Sequence, residues 1–433
     1  MLTLVGMLSA GCNDGGSDTA DPVPPVSTEW TRDILSTSLM IDLGLMTATA
    51  DIVLSGSTET AGASFEIGDL TIVSVRMGST LLDFYTEGQR LDIGVPLSDA
   101  PVVLTIDYSY RVRDGFDGIL DNGLTFIWPY YCGNMFPCKS DPGEGLSFEL
   151  ELIGAPVGMD AVYPTSIPVD APSYMIGWAV DEFDYIDLGV TTDGTRVGVY
   201  YEPGGESDAI DGTQNLRHVM DWYEQTYGAY LFGDEVASVS VAWRGGGLGG
   251  MEHHPFWHVA RGSMSDQATH AHEAAHGWFG NGVRIACWED FVLSEGAASY
   301  LAARSLTEIG GATLGNSIWT AYTSRLNALQ QSNENKIAWP DGCNQIDILD
   351  DGLFGAAPYM KGAFFFRDVA RAIGKTMFDQ VLSTFYTVNK GKPAHMQDLL
   401  DTIDAETGYD PTACAVGWLR SEALPADGTC DYY

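Results

Sequence analysis

The sequence contains little positive charge. Its 433 residues include 21 Lys and Arg against 59 Asp and Glu, which gives a formal net charge of -38. Nucleic acids and anionic lipids are bound through Lys and Arg, so we expect this surface to repel both and predict no nucleic-acid partner. An acidic surface favours solubility, and attraction of cationic peptides is the alternative use of the same charge.

The sequence also lacks an apolar run long enough to cross a bilayer, which takes about 20 residues. The first twelve residues, MLTLVGMLSAGC, resemble the end of a bacterial lipoprotein signal. Cys12 would then be the lipidated first residue of an exported protein that faces the periplasm or cell exterior and meets the membrane only through this anchor. Residues 13–27 are polar and rich in Gly and Pro, as in a flexible linker. Ser9 and the lack of a preceding Lys or Arg depart from the lipoprotein pattern, so an ordinary cleaved signal and an incidental cysteine stay as alternatives.

No close cysteine pair or Cys/His quartet has the spacing of a zinc knuckle. Six cysteines follow Cys12, and an even number in an exported chain suggests disulfides. The least entangled connectivity is Cys132–Cys138, Cys287–Cys343 and Cys414–Cys430. Buried free thiols are the alternative.

The hydrophobic pattern changes once along the chain. From about residue 35 to 200, runs such as SFEIGDLTIVSVRM and GLSFELELI alternate polar and apolar residues, which predicts antiparallel β structure. After 265, segments such as DQATHAHEAAHGWFGN and YMKGAFFFRDVARAIG have helical spacing. The pattern predicts an α+β protein, with a β-rich N-terminal domain over 28–195 and a mostly helical domain over 196–433.

The strongest chemical signal is HEAAH at 272–276. Residues four apart share a helix face, so His272 and His276 can bind one metal ion. Glu273 is predicted to be the general base that takes a proton from water. Glu295 follows in LSEGAASY, where Ser294 is expected to be the N-cap of the next helix. If that helix packs against the first, Glu295 completes a His₂Glu zinc set; a carboxylate that only favours the helix dipole is the alternative.

A second signal is GGMEH at 249–253. Glycines let a backbone approach a ligand closely, and Glu252 beside them is suited to bind the ammonium group of a substrate. A solvated loop carboxylate is the alternative.

Together these segments resemble the M1 metallopeptidases, the gluzincin aminopeptidases typified by aminopeptidase N. GGMEH is similar to the family's exopeptidase motif, and HEAAHGWFGN with WEDFVLSEGAASY is similar to its zinc motif. YMKGAFFF is similar to its Tyr-x-Lys-Gly segment, while MFPCKSDPGEGLSFELEL and APSYMIGWAVDEF resemble its N-terminal saddle domain. The resemblance covers roughly residues 35–425 and implies a β saddle followed by a thermolysin-like catalytic domain.

The resemblance also implies residue roles. One Zn²⁺ per chain is expected on His272, His276 and Glu295. Tyr359 is expected to donate its hydroxyl to the tetrahedral intermediate, and the backbone at Gly249 and Gly250 to contact the bound peptide. The implied substrates are peptides with a free N-terminus, which are cleaved at their first peptide bond.

Three departures from the family pattern have consequences. His253 stands where an Asn is usual, and Ala302 stands where a carboxylate commonly orients a zinc histidine, so that support must come from other residues. The chain also ends where the thermolysin-like domain normally closes, which implies that the C-terminal helical domain of many relatives is lacking. The other histidines of this region, among them His254, His258 and His270, are expected to be satisfied structural residues.

Three rival functions remain open at this point. They are a zinc endopeptidase, a non-catalytic surface protein that binds peptides, and a zinc hydrolase of a non-peptide substrate. The sequence does not specify the preferred side chain or the oligomeric state.

Overall fold

The computed structural model describes residues 26–127, 130–243 and 249–431. The predicted signal with Cys12, and the linker as far as residue 25, lie outside the described residues. Within those ranges, no helix combines the length and the apolar character needed to cross a membrane.

Short strands dominate the first part of the chain. Their bounds are β1 Ile34–Asp42, β2 Thr47–Leu54, β3 Ala63–Glu66, β4 Thr71–Met77, β5 Thr80–Leu81, β6 Phe84–Glu87, β7 Arg90–Ile93, β8 Val102–Ser109, β9 Asp117–Ile119, β10 Thr125–Ile127, β11 Leu146–Ile153, β12 Asp160–Val162, β13 Ser166–Ala171 and β14 Ala179–Asp181. Seven of them form one twisted sheet in the order β13-β11-β1-β2-β8-β4-β5. Along β2, Ala48, Ala50, Ile52 and Leu54 are buried and the residues between them are more exposed, which is the alternation expected of a sheet with one packed face.

The predicted fold class is confirmed, with one difference in the first sheet. Its pairs are antiparallel except that β1 runs parallel to β11, from Ser36 opposite Ser147 to Asp42 opposite Ile153. Alternating polarity cannot reveal this direction, because the burial pattern along a strand is the same whichever way its neighbour runs.

A second sheet of five strands follows in the order β15-β16-β17-β19-β18. The later strands are β15 Asp184–Val190, β16 Arg196–Tyr201, β17 Glu235–Val241, β18 Gly250–Met251, β19 Phe256–Ala260, β20 Phe279–Gly280, β21 Val283–Ile285 and β22 Pro393–Ala394. β17 is parallel to β16 and to β19 and is buried almost throughout, as a central strand covered on both faces should be. The boundary that the sequence pattern places near residue 195 falls in the turn between β15 and β16. By strand pairing, the second sheet begins at Asp184.

Helices supply most of the second part. They are α1 Glu206–Thr213, α2 Leu216–Tyr227, α3 Gln267–Ala275, α4 Phe291–Gln331, α5 Gly362–Ile373, α6 Lys375–Asn389, α7 Met396–Thr407 and α8 Thr412–Ala415. α4 is broken by a kink at Gly311, whose φ of 82° is non-helical. Its first half, from Phe291 to Leu306, is almost entirely buried and packs against α3.

The start of α4 differs from the sequence prediction. The helix begins at Phe291, three residues before Ser294, so Ser294 is not the N-cap and Glu295 lies in the second turn. The reason is a 3₁₀ turn over Trp288–Asp290 that leads directly into the helix.

Two glycines bring α4 and α5 into backbone contact. A Cβ atom on Gly296 would lie 2.8 Å from the Cα of Gly362, closer than real Cβ contacts allow. Because Gly296 follows Glu295 and Gly362 follows the YMK segment, this crossing holds both parts of the predicted site together.

The three predicted disulfides are present: Cys132–Cys138, Cys287–Cys343 and Cys414–Cys430. Cys287–Cys343 ties the turn before α4 to a loop that is distant in sequence. Glu289 reinforces this link, since its carboxylate accepts backbone N–H groups of Gly342 and Cys343 at 3.0 and 3.1 Å.

We expect the contribution of each disulfide to the free energy of unfolding to increase with the length of the loop that it closes. The paired cysteines are 56, 16 and 6 residues apart for Cys287–Cys343, Cys414–Cys430 and Cys132–Cys138. Chain entropy of the unfolded state then gives losses of about 4, 3 and 2 kcal/mol when each pair is replaced by alanines. Urea unfolding of the three double variants measures the order. Equal losses, or a reversed order, would show that loop closure does not govern their contribution.

Candidate active site

α3 presents the motif histidines on one face. Asp266 caps its N-terminus, where its carboxylate accepts from Ala268 N at 3.2 Å and Thr269 Oγ1 at 2.7 Å. His276 follows the last residue of α3 but keeps helical dihedral angles, so the four-residue spacing from His272 is preserved. The two Nε2 atoms lie 3.2 Å apart.

Glu295 reaches these histidines from α4. Its Oε2 atom lies 3.0 Å from His272 Nε2 and 3.6 Å from His276 Nε2. Three ligand atoms at zinc-ligand distances of about 2.0–2.1 Å in a tetrahedral site lie ~3.4 Å from one another. The observed separations therefore fit a His₂Glu zinc site without rearrangement of the side chains.

Hydrogen bonds from the opposite side of each imidazole fix its orientation. Nδ1 of His276 donates to the carbonyl of Phe279 at 3.0 Å and also lies 3.2 Å from Ser294 Oγ. Nδ1 of His272 lies 3.4 Å from Ser299 Oγ. These serines orient the histidines in place of the carboxylate that is commonly found at the position of Ala302. No spacing rule predicts them from the sequence.

The charges of the groups around His272, His276 and Glu295 favour a bound cation. Burial alone would lower the pKa of His276, but the three carboxylates around it raise that pKa to about 10. Burial would raise the pKa of Glu295, but the two histidines lower it to about 2. A buried position that stabilises one positive charge so strongly is also suited to a divalent ion.

Glu273 is buried beside the ligand set. Burial raises its pKa well above the usual range; the charge of His276 opposes this, whereas Glu252 and Glu295 add to it. A carboxyl group whose pKa is raised is better matched to proton transfer near neutral pH than an ordinary carboxylate.

Glu252 directly follows the short strand β18 and is 6 % exposed. Its carboxylate, that of Glu273 and a ring nitrogen of His276 all lie within 4.8 Å of one another. Asn281 holds the segment in place, since its side-chain amide donates to the Glu252 carbonyl at 2.8 Å. Burial raises the pKa of Glu252, His276 opposes the rise, and Glu295 adds to it. A cationic group bound next to Glu252 would stabilise its buried negative charge.

The glycines before Glu252 leave room for the acid on α3. A Cβ atom on Gly250 would lie 2.6 Å from Cδ of Glu273, so a larger residue would displace this carboxyl group. Gly249 lies next to Thr269 on the same wall.

Tyr359 lies in a π-helical turn over Ala357–Lys361 that leads into α5. Its ring stacks on that of His272, with centroids 6.0 Å apart and an interplanar angle of 23°. Burial, and then the nearby carboxylates, raise its pKa well above 10, so the hydroxyl keeps its proton and can donate it. The buried Lys361 anchors the turn by donating to the carbonyl oxygens of Lys336 and Ser421, a role that the sequence did not suggest.

The neighbouring histidines have structural partners. His254 donates from Nε2 to the Glu273 carbonyl at 2.8 Å and lies 2.7 Å from the Tyr230 hydroxyl. His270 donates to the Met264 carbonyl and lies 2.8 Å from Ser238 Oγ. His253 donates to the Met175 carbonyl and His258 is buried beside it, with ring centroids 4.8 Å apart.

One cavity brings the predicted residues together. Each site residue named from the sequence lies on its wall, apart from Cys12, which is outside the described residues. Its wall consists of Gly249, Gly250, Met251, Glu252, Asp266, Ala268, Thr269, His272, Glu273, His276, Phe291, Glu295, Ser299, Tyr322, Arg325, Phe354, Gly355, Ala356 and Tyr359. The sequence did not single out Tyr322, Arg325 or the 354–356 segment.

Comparisons with known proteins agree with this geometry. Residues 259–418 match the Peptidase family M1 domain. The chain is 24% identical to Aminopeptidase M1-C of Oryza sativa over 89% of its own length and 48% of that protein, and 22% identical to Aminopeptidase N of Lactococcus lactis over 88% and 50%. It thus spans about half the length of the curated relatives it matches.

The fold is similar to solved structures over nearly the whole chain. The M1 zinc metallopeptidase of Deinococcus radiodurans, in a mutant form bound to a Tyr-Ser-Ala substrate, superposes with a TM-score of 0.77 at 17% identity. The match covers 91% of this chain and 96% of that one. The family match contains the HEAAH motif, Glu295 and Tyr359. The comparisons thus identify a Peptidase family M1 domain over residues 259–418, within a chain whose fold is similar to that of an M1 zinc metallopeptidase.

Proposed function

We propose that the protein is a zinc-dependent aminopeptidase that removes the N-terminal residue of peptides. The observation that supports this best is the shared cavity, in which two buried carboxylates, Glu273 and Glu252, lie next to a convergent His₂Glu set. His272, His276 and Glu295 would hold one zinc ion per chain. When bound there, zinc supplies Lewis-acid activation of water and of the substrate carbonyl.

Glu273 moves the proton in this reaction. It accepts a proton from the attacking water and then donates it to the nitrogen of the leaving peptide, so that one water is consumed and one peptide bond is broken. The hydroxyl of Tyr359 donates a hydrogen bond to the oxygen that develops negative charge.

Glu252 gives the reaction its exopeptidase character. Its buried carboxylate accepts hydrogen bonds from the substrate's ammonium group, which places the first peptide bond next to Glu273. The glycine backbone at 249–250 lines the approach to this position and leaves space for the peptide main chain.

We also propose that the protein is exported and anchored through a lipid on Cys12. Three disulfides support an oxidising compartment. The anchor itself rests on the sequence pattern alone.

Replacing Glu273 by Gln should abolish most turnover while zinc stays bound. The amide keeps the shape of the side chain but cannot accept the water's proton, and a general base typically contributes ~10²–10⁴-fold. We would measure kcat on an aminoacyl-coumarin substrate together with zinc content by mass spectrometry. Wild-type turnover in a fully loaded variant would reject the assigned role.

In the wild type, turnover that survives exhaustive chelation would reject a metallopeptidase altogether.

Tyr359→Phe should lower kcat by about 10²–10³-fold and change KM little, because the lost hydrogen bond forms in the transition state. The ring contacts with His272 and Phe291 are retained in this variant. Steady-state kinetics on the same substrate separate the two constants. A rise in KM with an unchanged kcat would assign Tyr359 to substrate binding instead.

Acetylating the N-terminus of a ten-residue peptide should nearly abolish its hydrolysis. Acetylation removes the ammonium charge and adds bulk at Glu252, and Glu252→Ala should lose much of kcat/KM on the free peptide while retaining zinc. Mass spectrometry during digestion should show a ladder that shortens from the free amino end only. Internal cleavage of both peptides at similar rates would identify an endopeptidase.

A further inference from the structure

Arg325 projects from the second half of α4 onto the wall of the catalytic cavity. Its side chain is exposed, and among the described residues it makes no hydrogen bond or ion pair. Its acidic neighbour on the same wall, Asp266, is already engaged by Ala268 and Thr269 at the N-terminus of α3. The guanidinium therefore keeps its donors available inside the cavity.

This arginine is unusual in its surroundings. In the part of the chain that the structure describes, it is the one Lys or Arg on the cavity wall, which also carries four Asp and Glu residues. Arginines elsewhere are commonly paired, as Arg304 is with Glu308 and Asp379 at 2.8 Å each. In a protein with a net charge of -38, none of the described carboxylates forms an ion pair with Arg325.

The position of Arg325 relative to the ligands gives the cavity a polarity. Tyr322, which precedes Arg325 by three residues on α4, lies on the same wall and donates to the Ser299 carbonyl at 3.2 Å, and Ser299 Oγ lies 3.4 Å from His272 Nδ1. Glu252 lies instead with Glu273 and His276, whose ligand atoms are all within 4.8 Å of one another. The cavity thus has an anionic side at Glu252 and a cationic side beyond His272 and Tyr359.

We propose that Arg325 binds a substrate carboxylate on the C-terminal side of the cleaved bond. The proposal rests on the aminopeptidase function, since Glu252 then fixes the amino end and the rest of the peptide extends towards Arg325. A guanidinium binds a carboxylate through two parallel N–H···O hydrogen bonds. The carboxylate comes either from the C-terminus of a dipeptide or tripeptide, or from an Asp or Glu side chain shortly after the first residue.

The two sources are separated by matched peptides. In the first arm, Ala-Ala and Ala-Ala-Ala are compared with their C-terminal amides. In the second arm, hexapeptide amides that carry Glu at the second or third position are compared with the same peptides carrying Gln. We expect a preference of about five- to tenfold in kcat/KM for the charged peptide in one arm or both, the size expected of an exposed charge-assisted hydrogen bond.

Arg325→Gln should reduce that preference to about one, and Arg325→Lys should keep part of it. Arg371→Gln is the matched control, because it removes the same charge from an exposed position outside the cavity wall. Equal kcat/KM values of the wild type for the charged and uncharged peptides in both arms would overturn the proposal. The same holds if Arg371→Gln reduces the preference as much as Arg325→Gln does, since the effect would then be one of net charge.

A binding measurement keeps this inference distinct from the proposed function. Calorimetric titration of zinc-loaded Glu273→Gln with the same peptide pairs needs no turnover. If the wild type cleaves no peptide, the aminopeptidase function fails, and the binding data still decide whether Arg325 selects a carboxylate. Equal affinities for acid and amide, with and without Arg325→Gln, would refute it.

Discussion

The site depends on burying three carboxylates beside two imidazoles in one cavity. Glu252, Glu273 and Glu295 are each no more than 6 % exposed, and ionised groups at such positions lose most of their hydration. The protein compensates in part by holding His276 protonated, with a pKa of about 10. A divalent cation among the same groups compensates more fully and leaves both histidines neutral, as zinc binding requires. Metal occupancy and the protonation of His276 are therefore coupled.

Backbone geometry keeps these groups together. The first half of α4 is packed on all sides, so Glu295 has no freedom to turn away from α3. The contact between Gly296 and Gly362 places α5, and with it the turn that carries Tyr359, directly against the ligand helix. Larger side chains at either glycine would separate Glu295 and the histidines from Tyr359. The small residues of the YMKGA and SEGAAS segments thus belong to the geometry of the proposed site.

Much of the site could be predicted from the sequence because its chemistry depends on local spacing. The HEAAH histidines need only a helix, and Glu295 needs only a second helix packed beside it. The residues that orient the two histidines, Ser294 and Ser299, could not be predicted, because they act through tertiary contacts that no sequence pattern encodes. Ser294 was instead predicted to be an N-cap, and the 3₁₀ turn that starts α4 earlier made that prediction wrong.

The types of secondary structure could be predicted from the sequence, but some of the strand pairing could not. Alternating polarity identified the β-rich part and helical spacing the rest, since both patterns follow from which face is buried. The parallel pairing of β1 with β11 was not accessible, because it depends on contacts between segments about 100 residues apart. The same limit applies to β15, which the sequence pattern placed in the N-terminal part although it pairs with β16 of the second sheet.

The distribution of charge around the cavity connects these features with substrate choice. A short peptide in water is a dipole, with an ammonium group at one end and a carboxylate at the other. The acidic surface of the protein attracts the first and repels the second, so the overall field alone would favour peptides without a free carboxylate. In the proposed role, Arg325 offsets this bias locally, near Tyr322 and Ser299 rather than near Glu252. Because local contacts outweigh screened long-range repulsion, the proposed role of Arg325 predicts that short zwitterionic peptides bind despite the net charge of -38.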